Sequence, residues 1–73
     1  MKNFGTAAPQ TPLSAREREV LVLLGKGCTN REIGRHLEIS AFTVSEHVRK
    51  ILRRLDVSGR VEAAVWAAKE GLL

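Results

Sequence analysis

Two stretches of helical apolar period lie so close together in this chain that a sharp turn must separate them. Ile33 and Leu37 stand at i, i+4, and Val44, Val48, Ile51, Leu52 and Leu55 stand at i, i+4, i+7, i+8 and i+11. Only Glu38, Ile39 and Ser40 intervene, with Ile39 as the one apolar residue to plug inward. So short a joint between two helices has the spacing of a helix-turn-helix pair.

The second of these helices, expected over residues 41–55, divides into two faces. At about 100° per residue its five apolar side chains occupy a sector roughly 100° wide. Glu46, Arg49, Lys50 and Arg53 lie opposite, with Ser45 on the flank next to Arg49. Ser40 is placed to act as N-cap, which sets free backbone N–H groups and the positive end of the helix dipole beside a mostly cationic face. A helix end that attracts anions, followed by basic and short polar side chains, suits a nucleic-acid groove.

Capping signals place the other helices. Ser14-Ala-Arg-Glu17 has the form of a capping box, with Leu13 before it as a staple candidate, and opens a helix expected over residues 15–24. Val20, Leu21, Leu23 and Leu24 form its buried face, Arg16, Glu17, Arg18 and Glu19 its wet one, and Gly25 and Gly27 are natural stops. Thr29-Asn-Arg-Glu32 repeats the box and opens a helix over residues 30–37. Gly34 inside it costs about 1 kcal/mol relative to alanine, which makes sense where another helix crosses closely. After a break at residues 56–59, with Ser58 as cap, a last helix is expected from Gly59 or Arg60 to Glu70, ended by Gly71. Val61, Ala64, Val65 and Ala68 make one apolar stripe on it, Ala63 and Ala67 widen it, and Trp66 points away from the first stripe. A surface helix needs one apolar face, so the surplus implies a second contact, expected to be a dimer contact through Val61, Val65, Trp66 and Lys69. The expectation is therefore an all-α, four-helix (tetrahelical) helix-turn-helix domain over residues 13–73, preceded by a flexible lead-in or linker over residues 1–12.

Size and charge bound the function. Seventy-three residues make one domain with a small core, to whose stability dimerisation could add. The net charge of +4 favours a polyanionic partner but also simply aids solubility. With Cys28 as the sole cysteine, no internal disulfide is possible, and His36 and His47 lack the companions of a metal site; no cofactor is expected. No run approaches the roughly eighteen apolar residues of a membrane span, and Lys2 is followed by no signal-peptide core, so a cytoplasmic protein without membrane attachment is expected. Paired carboxylates, a nucleophile–base set and a glycine-rich phosphate loop are all missing, so an enzyme is not expected.

Leu13-Ser-Ala-Arg-Glu-Arg-Glu-Val-Leu21, Gly27-Cys-Thr-Asn-Arg-Glu-Ile33 and Leu37-Glu-Ile-Ser40, then Thr43-Val44, His47, Lys50-Ile51, Leu55, Arg60, Ala63 and Gly71-Leu72-Leu73, resemble the DNA-binding domain of LuxR-type regulators, also called GerE- or NarL-type. The resemblance spans residues 13–73, with several motifs in the right order at the right spacing. It implies a tetrahelical domain that binds double-stranded promoter DNA as a homodimer, helix three in the major groove, with RNA polymerase as a further partner. The base-facing positions of the family match Ser45, Glu46 and Arg49 here. Arg49 keeps the family's basic character and suits a bidentate contact to guanine. Ser45 departs from the frequent basic residue, and Glu46 is suited to accept from a cytosine amino group. Lys50, Arg53, Thr29, Asn30, Ser40 and Thr43 are expected at phosphates. Arg31 and Arg35 approach the DNA backbone in this reading, Arg54 pairs with Asp56 or Glu38, and His47 packs rather than reads bases.

Two settings suit such a domain: the output domain of a two-component response regulator, towards which the tail-like start leans, or a free-standing GerE-like or autoinducer-type regulator. A reading from another class is a protein-interaction module in which the apolar last helix and Trp66 dock a partner, the basic face being only solubilising.

Overall fold

In the computed structural model the described residues are 13–73; the lead-in expected at residues 1–12 lies outside them. The described residues form α1 (Ala15–Gly25), α2 (Asn30–Leu37), α3 (Ala41–Leu55) and α4 (Arg60–Lys69) and contain no strand. None of these helices is long and apolar enough to cross a membrane.

Local chemistry accounts for the boundaries. Ser14 Oγ accepts from the Glu17 amide at 3.1 Å while Glu17 Oε1 accepts from the Ser14 amide at 3.0 Å, a reciprocal box that satisfies two otherwise orphaned donors. Thr29 and Glu32 do the same for α2, at 3.1 and 2.8 Å. α1 ends where Gly27 takes φ 93°. There the Cys28 amide donates to the Leu23 carbonyl at 3.1 Å and the Gly27 amide to the Leu24 carbonyl at 3.0 Å. Those two bonds make a Schellman end, for which a glycine in the left-handed region is the natural residue.

The turn after α2 bends back tightly. Glu38 adopts φ 61° and ψ 42°, a left-handed conformation, and the Ile39 amide returns to the Gly34 carbonyl at 2.9 Å. A Cβ on Gly34 would lie 2.6 Å from the Ile39 carbonyl oxygen, which is backbone and has little room to shift. The tight approach anticipated at Gly34 is thus made by the turn's own backbone rather than by a crossing helix. Ile39 itself packs, partly buried, against the core.

α2 packs mainly on α3, and α1 mainly on α4 and then on α3, so α3 joins the two halves. Val20, Leu21 and Leu24 of α1, Ile33 of α2, and Val44, Val48, Ile51 and Leu55 of α3 are buried as their period required. Each contributes on the order of 1.5–3 kcal/mol by leaving water. Leu23 is only partly buried against this core.

Four expectations about side chains are corrected. Glu17 does not stay wet: it is 4% exposed and receives Arg54 Nη1 at 2.6 Å. Arg54 therefore pairs with Glu17, thirty-seven residues away in the chain, where the sequence pointed to Asp56 or Glu38. In α4 the core side is Ala63 and Ala67, both fully buried, whereas Val61 and Val65 are 74% and 50% exposed. The valines of the first stripe thus face solvent while its Ala64 packs, partly buried, against the core, because alanine-sized side chains allow α4 to settle closely against α1. Finally, Ser58 is not the N-cap: Gly59 holds that position without a side-chain cap bond, and Ser58 instead donates its amide to Glu62 Oε1 at 2.8 Å and its hydroxyl to the same oxygen.

Candidate nucleic-acid interface

The turn at residues 38–40 fixes how α3 is presented. Ser40 Oγ accepts from the Thr43 amide at 3.0 Å and caps the helix as its sequence position required. α1, α2 and α4 carry Glu17, Glu32 and Glu62 in their first turns, whereas α3 carries no acidic residue there. The positive end of its dipole is consequently left without a carboxylate to balance it. Ser40 Oγ–H is donated to Thr43 Oγ1 at 2.9 Å, which leaves the Thr43 hydroxyl hydrogen to serve an outside acceptor.

Burial of Val44, Val48, Ile51 and Leu55 turns the other side of α3 to solvent. That side brings together Ser45, Glu46, Arg49, Lys50 and Arg53. Arg49, Lys50 and Arg53 are exposed, while Ser45 and Glu46 are half-buried. The Arg49 side chain keeps 69% of its surface in water, and its Nη2 lies 3.8 Å from Glu46 Oε2, one turn away. So loose and wet an ion pair contributes little stability and can open at small cost, which leaves Arg49 able to exchange the carboxylate for a stronger partner. Ser45 is more constrained, since its hydroxyl donates to the Phe42 carbonyl at 3.1 Å. In that rotamer its oxygen can only accept from an outside group.

Thr29 and Asn30 lie at the start of α2. Thr29 Oγ1 is occupied as an acceptor by the Glu32 amide. Asn30 Oδ1 accepts from Arg60 Nη1 at 3.1 Å, and Arg60 Nη2 reaches the Cys28 carbonyl at 3.1 Å. Arg60 thereby clamps the start of α4 to the start of α2 and fixes which way the Asn30 amide points. Arg31 and Arg35 are exposed on α2. Arg54, by contrast, is turned away from the face of α3 by its bond to Glu17.

On α4, Val61, Val65 and Lys69 are exposed. Trp66 is partly buried and packs against the core of its own chain. Glu62 holds the α4 entry: the hydroxyl and amide of Ser58, in that order of effect, keep its carboxyl below the ordinary carboxylate range. Among the described residues no group of three or more His, Cys, Asp or Glu side chains could hold a metal ion.

Three contributors escaped the reading of the sequence. In the sequence Glu17 is a capping residue and Arg60 a match to a pattern; in the structure they join α1 to α3 and α2 to α4. Phe42, 74% exposed at the start of α3, has no role in the expectations from sequence. A helical wheel carries the signal for Phe42, since the residue falls at about 160° from Val44, within the polar face.

Comparison with known proteins adds to this geometry. The profile of the family described as bacterial regulatory proteins, luxR family, matches residues 11–67. The transcriptional regulatory protein LiaR of Bacillus subtilis (strain 168) is 46% identical over 67 residues, covering 92% of this chain and 32% of LiaR. The nitrate/nitrite response regulator protein NarL of Escherichia coli (strain K12) is 43% identical over 58 residues, covering 80% of this chain and 27% of NarL. Among solved structures, the response regulator ChrA of a heme-sensing two-component system superposes with a TM-score of 0.79 at 37% identity, covering 93% of this chain and 34% of that one. The chain thus spans about a third or less of the length of these relatives.

Proposed function

This chain belongs to the luxR family of bacterial regulatory proteins, a family of DNA-binding transcription regulators, and on that premise we propose that it reads promoter DNA through α3 as the output domain of a two-component response regulator. The observation that carries the reading is the outward face of α3. Arg49, Lys50 and Arg53 are exposed on it, a helix-turn-helix presents it, and an N-terminus without acidic residues leads it in. A helix about 10–12 Å across with its side chains fits the major groove, and its N-terminal half meets base edges there.

In this arrangement Arg49 leaves Glu46 for the O6 and N7 of a guanine, and Glu46 accepts from a neighbouring cytosine amino group. Ser45, acting as acceptor, suits an exocyclic amine. Lys50 and Arg53 take phosphates, joined by the Thr43 hydroxyl and the N-terminus of α3 that Ser40 caps. Thr29 and Asn30 serve phosphates from the start of α2. Val61, Val65 and Lys69 supply the contact between two copies, with Trp66 bracing α4 from its inner side. Residues 13–73 constitute the DNA-binding unit, RNA polymerase is a further partner at the promoter, and the work is done in the cytoplasm.

Selection of bound duplexes from a random pool, followed by titration of the selected site with salt, tests this. Affinity should fall linearly on a log–log scale, with a slope of about −0.9 per phosphate neutralised. If no duplex is retained even at low salt, α3 is not a reader, and the interaction-module reading built on α4 takes its place.

A further inference from the structure

Phe42 stands out on the α3 surface because so large an apolar side chain lies mostly in solvent there. It is the second residue of the helix and is 74% exposed. The other exposed large apolar side chains among the described residues, Val61, Val65 and Leu73, belong to α4 and the C-terminus. A lone exposed apolar residue is ordinary on a protein surface. Its position is what asks for an explanation. With Val44 at zero, Phe42 projects at about 160°, between Arg49 at about 140° and Arg53 at about 180°. It therefore lies in the middle of the cationic face, one turn before Glu46 and two before Arg49.

The surroundings select its occupant. A second copy of this chain would bring the same arginines and lysine against these, with like-charge repulsion. A polyanion is drawn to the same ring, and the DNA major groove presents an apolar knob among its polar edges, the 5-methyl group of thymine. The backbone of Phe42 is held by the helix, and its carbonyl accepts the Ser45 hydroxyl at 3.1 Å, which ties that short side chain back and leaves the ring as the projecting group of the first turn. The Cα–Cβ bond tilts towards the helix N-terminus, the end that meets base edges.

We infer that Phe42 is a specificity-determining residue whose ring packs on a thymine 5-methyl group, beside the base contact of Arg49; this rests on the DNA-binding reading above. Arg49 and Phe42 then read by different chemistry, one by hydrogen bonds and one by burial of a methyl group.

The test uses the whole chain and a duplex selected from the random pool, with each thymine replaced in turn by deoxyuridine, which lacks only the methyl. Wild type should lose roughly threefold to tenfold in affinity at one thymine, the equivalent of burying one methyl group. Phe42→Ser, checked by circular dichroism for unchanged helicity, should bind both duplexes alike at that position. Selected duplexes without a methyl-sensitive thymine, or a sensitivity that persists in Phe42→Ser, overturn the inference while leaving DNA binding intact. Failure to select any duplex removes the DNA-binding reading and this inference with it. Loss of self-association in Phe42→Ser without DNA, together with unchanged thymine sensitivity, assigns the ring to a contact between copies instead.

Discussion

At Glu17 a single carboxylate oxygen accepts from the Ser14 amide at 3.0 Å and from the Arg54 guanidinium at 2.6 Å, so one side chain both starts α1 and anchors α3 to it. Removing the guanidinium leaves a buried carboxylate with its charge uncompensated, which is more damaging than losing a surface pair. Because the Arg54 side chain is itself 34% exposed, Arg54→Ala should cost about 2–3 kcal/mol, below the range of a fully buried pair. Urea denaturation checks this; a change of about 0.5 kcal/mol or less would reduce the pair to a surface contact. Arg49 is the opposite case, wet and weakly held. Arg49→Ala should leave stability unchanged, cost about 1–3 kcal/mol on the selected site and relax preference at one base position. Equal losses on selected and random duplexes would make Arg49 a phosphate contact.

Among the elements, the helix-turn-helix depends on backbone meeting backbone at Gly34. Alanine normally favours a helix by about 1 kcal/mol over glycine, but here its Cβ would sit 2.6 Å from the Ile39 carbonyl oxygen. Overpacking wins, so Gly34→Ala should destabilise by about 1–3 kcal/mol and alter how α3 is presented. A melting temperature equal to or above that of wild type would show that the turn can relax. The entry to α4 is sensitive to pH instead. Ser58 holds the Glu62 carboxyl below its ordinary value of 4.5, so the bonds stabilise the fold above that pH and are lost as pH falls through the lower folded value. The melting temperature of wild type should therefore exceed that of Glu62→Gln near neutrality, and the gap should close as acidification protonates the carboxylate below 4.5. A gap independent of pH would mean that the carboxylate charge is irrelevant there.

For the molecule as a whole, the exposed valines of α4 are the surface proposed for contact with a second copy. Val61 is 74% exposed, so Val61→Asp should leave the monomer folded while weakening self-association and cooperative binding to paired half-sites. Sedimentation at high concentration measures it; an unchanged profile removes α4 as the contact. Trp66→Ala is the poorer probe, because Trp66 packs against its own core and its loss acts on the monomer as well.

Periodicity and capping residues determined a great deal by themselves. Each helix lies within a residue of its expected span, and Val44, Val48, Ile51 and Leu55 of the apolar face of α3 are buried with Leu52 partly so, because 3.6-residue geometry and local hydrogen bonds act over a few neighbouring residues. The outward face, with Ser45, Glu46, Arg49, Lys50 and Arg53, was legible for the same reason, since a helix with one buried side must show the other. Tertiary packing alone decided the remainder. Nothing local says that Glu17 meets Arg54 or that Arg60 clamps Asn30, since these groups come together only when separate helices dock. On α4 two apolar stripes competed for the core, and close packing against α1 chose Ala63 and Ala67 over the larger valines. The sequence held both stripes; only the space left between helices could choose between them.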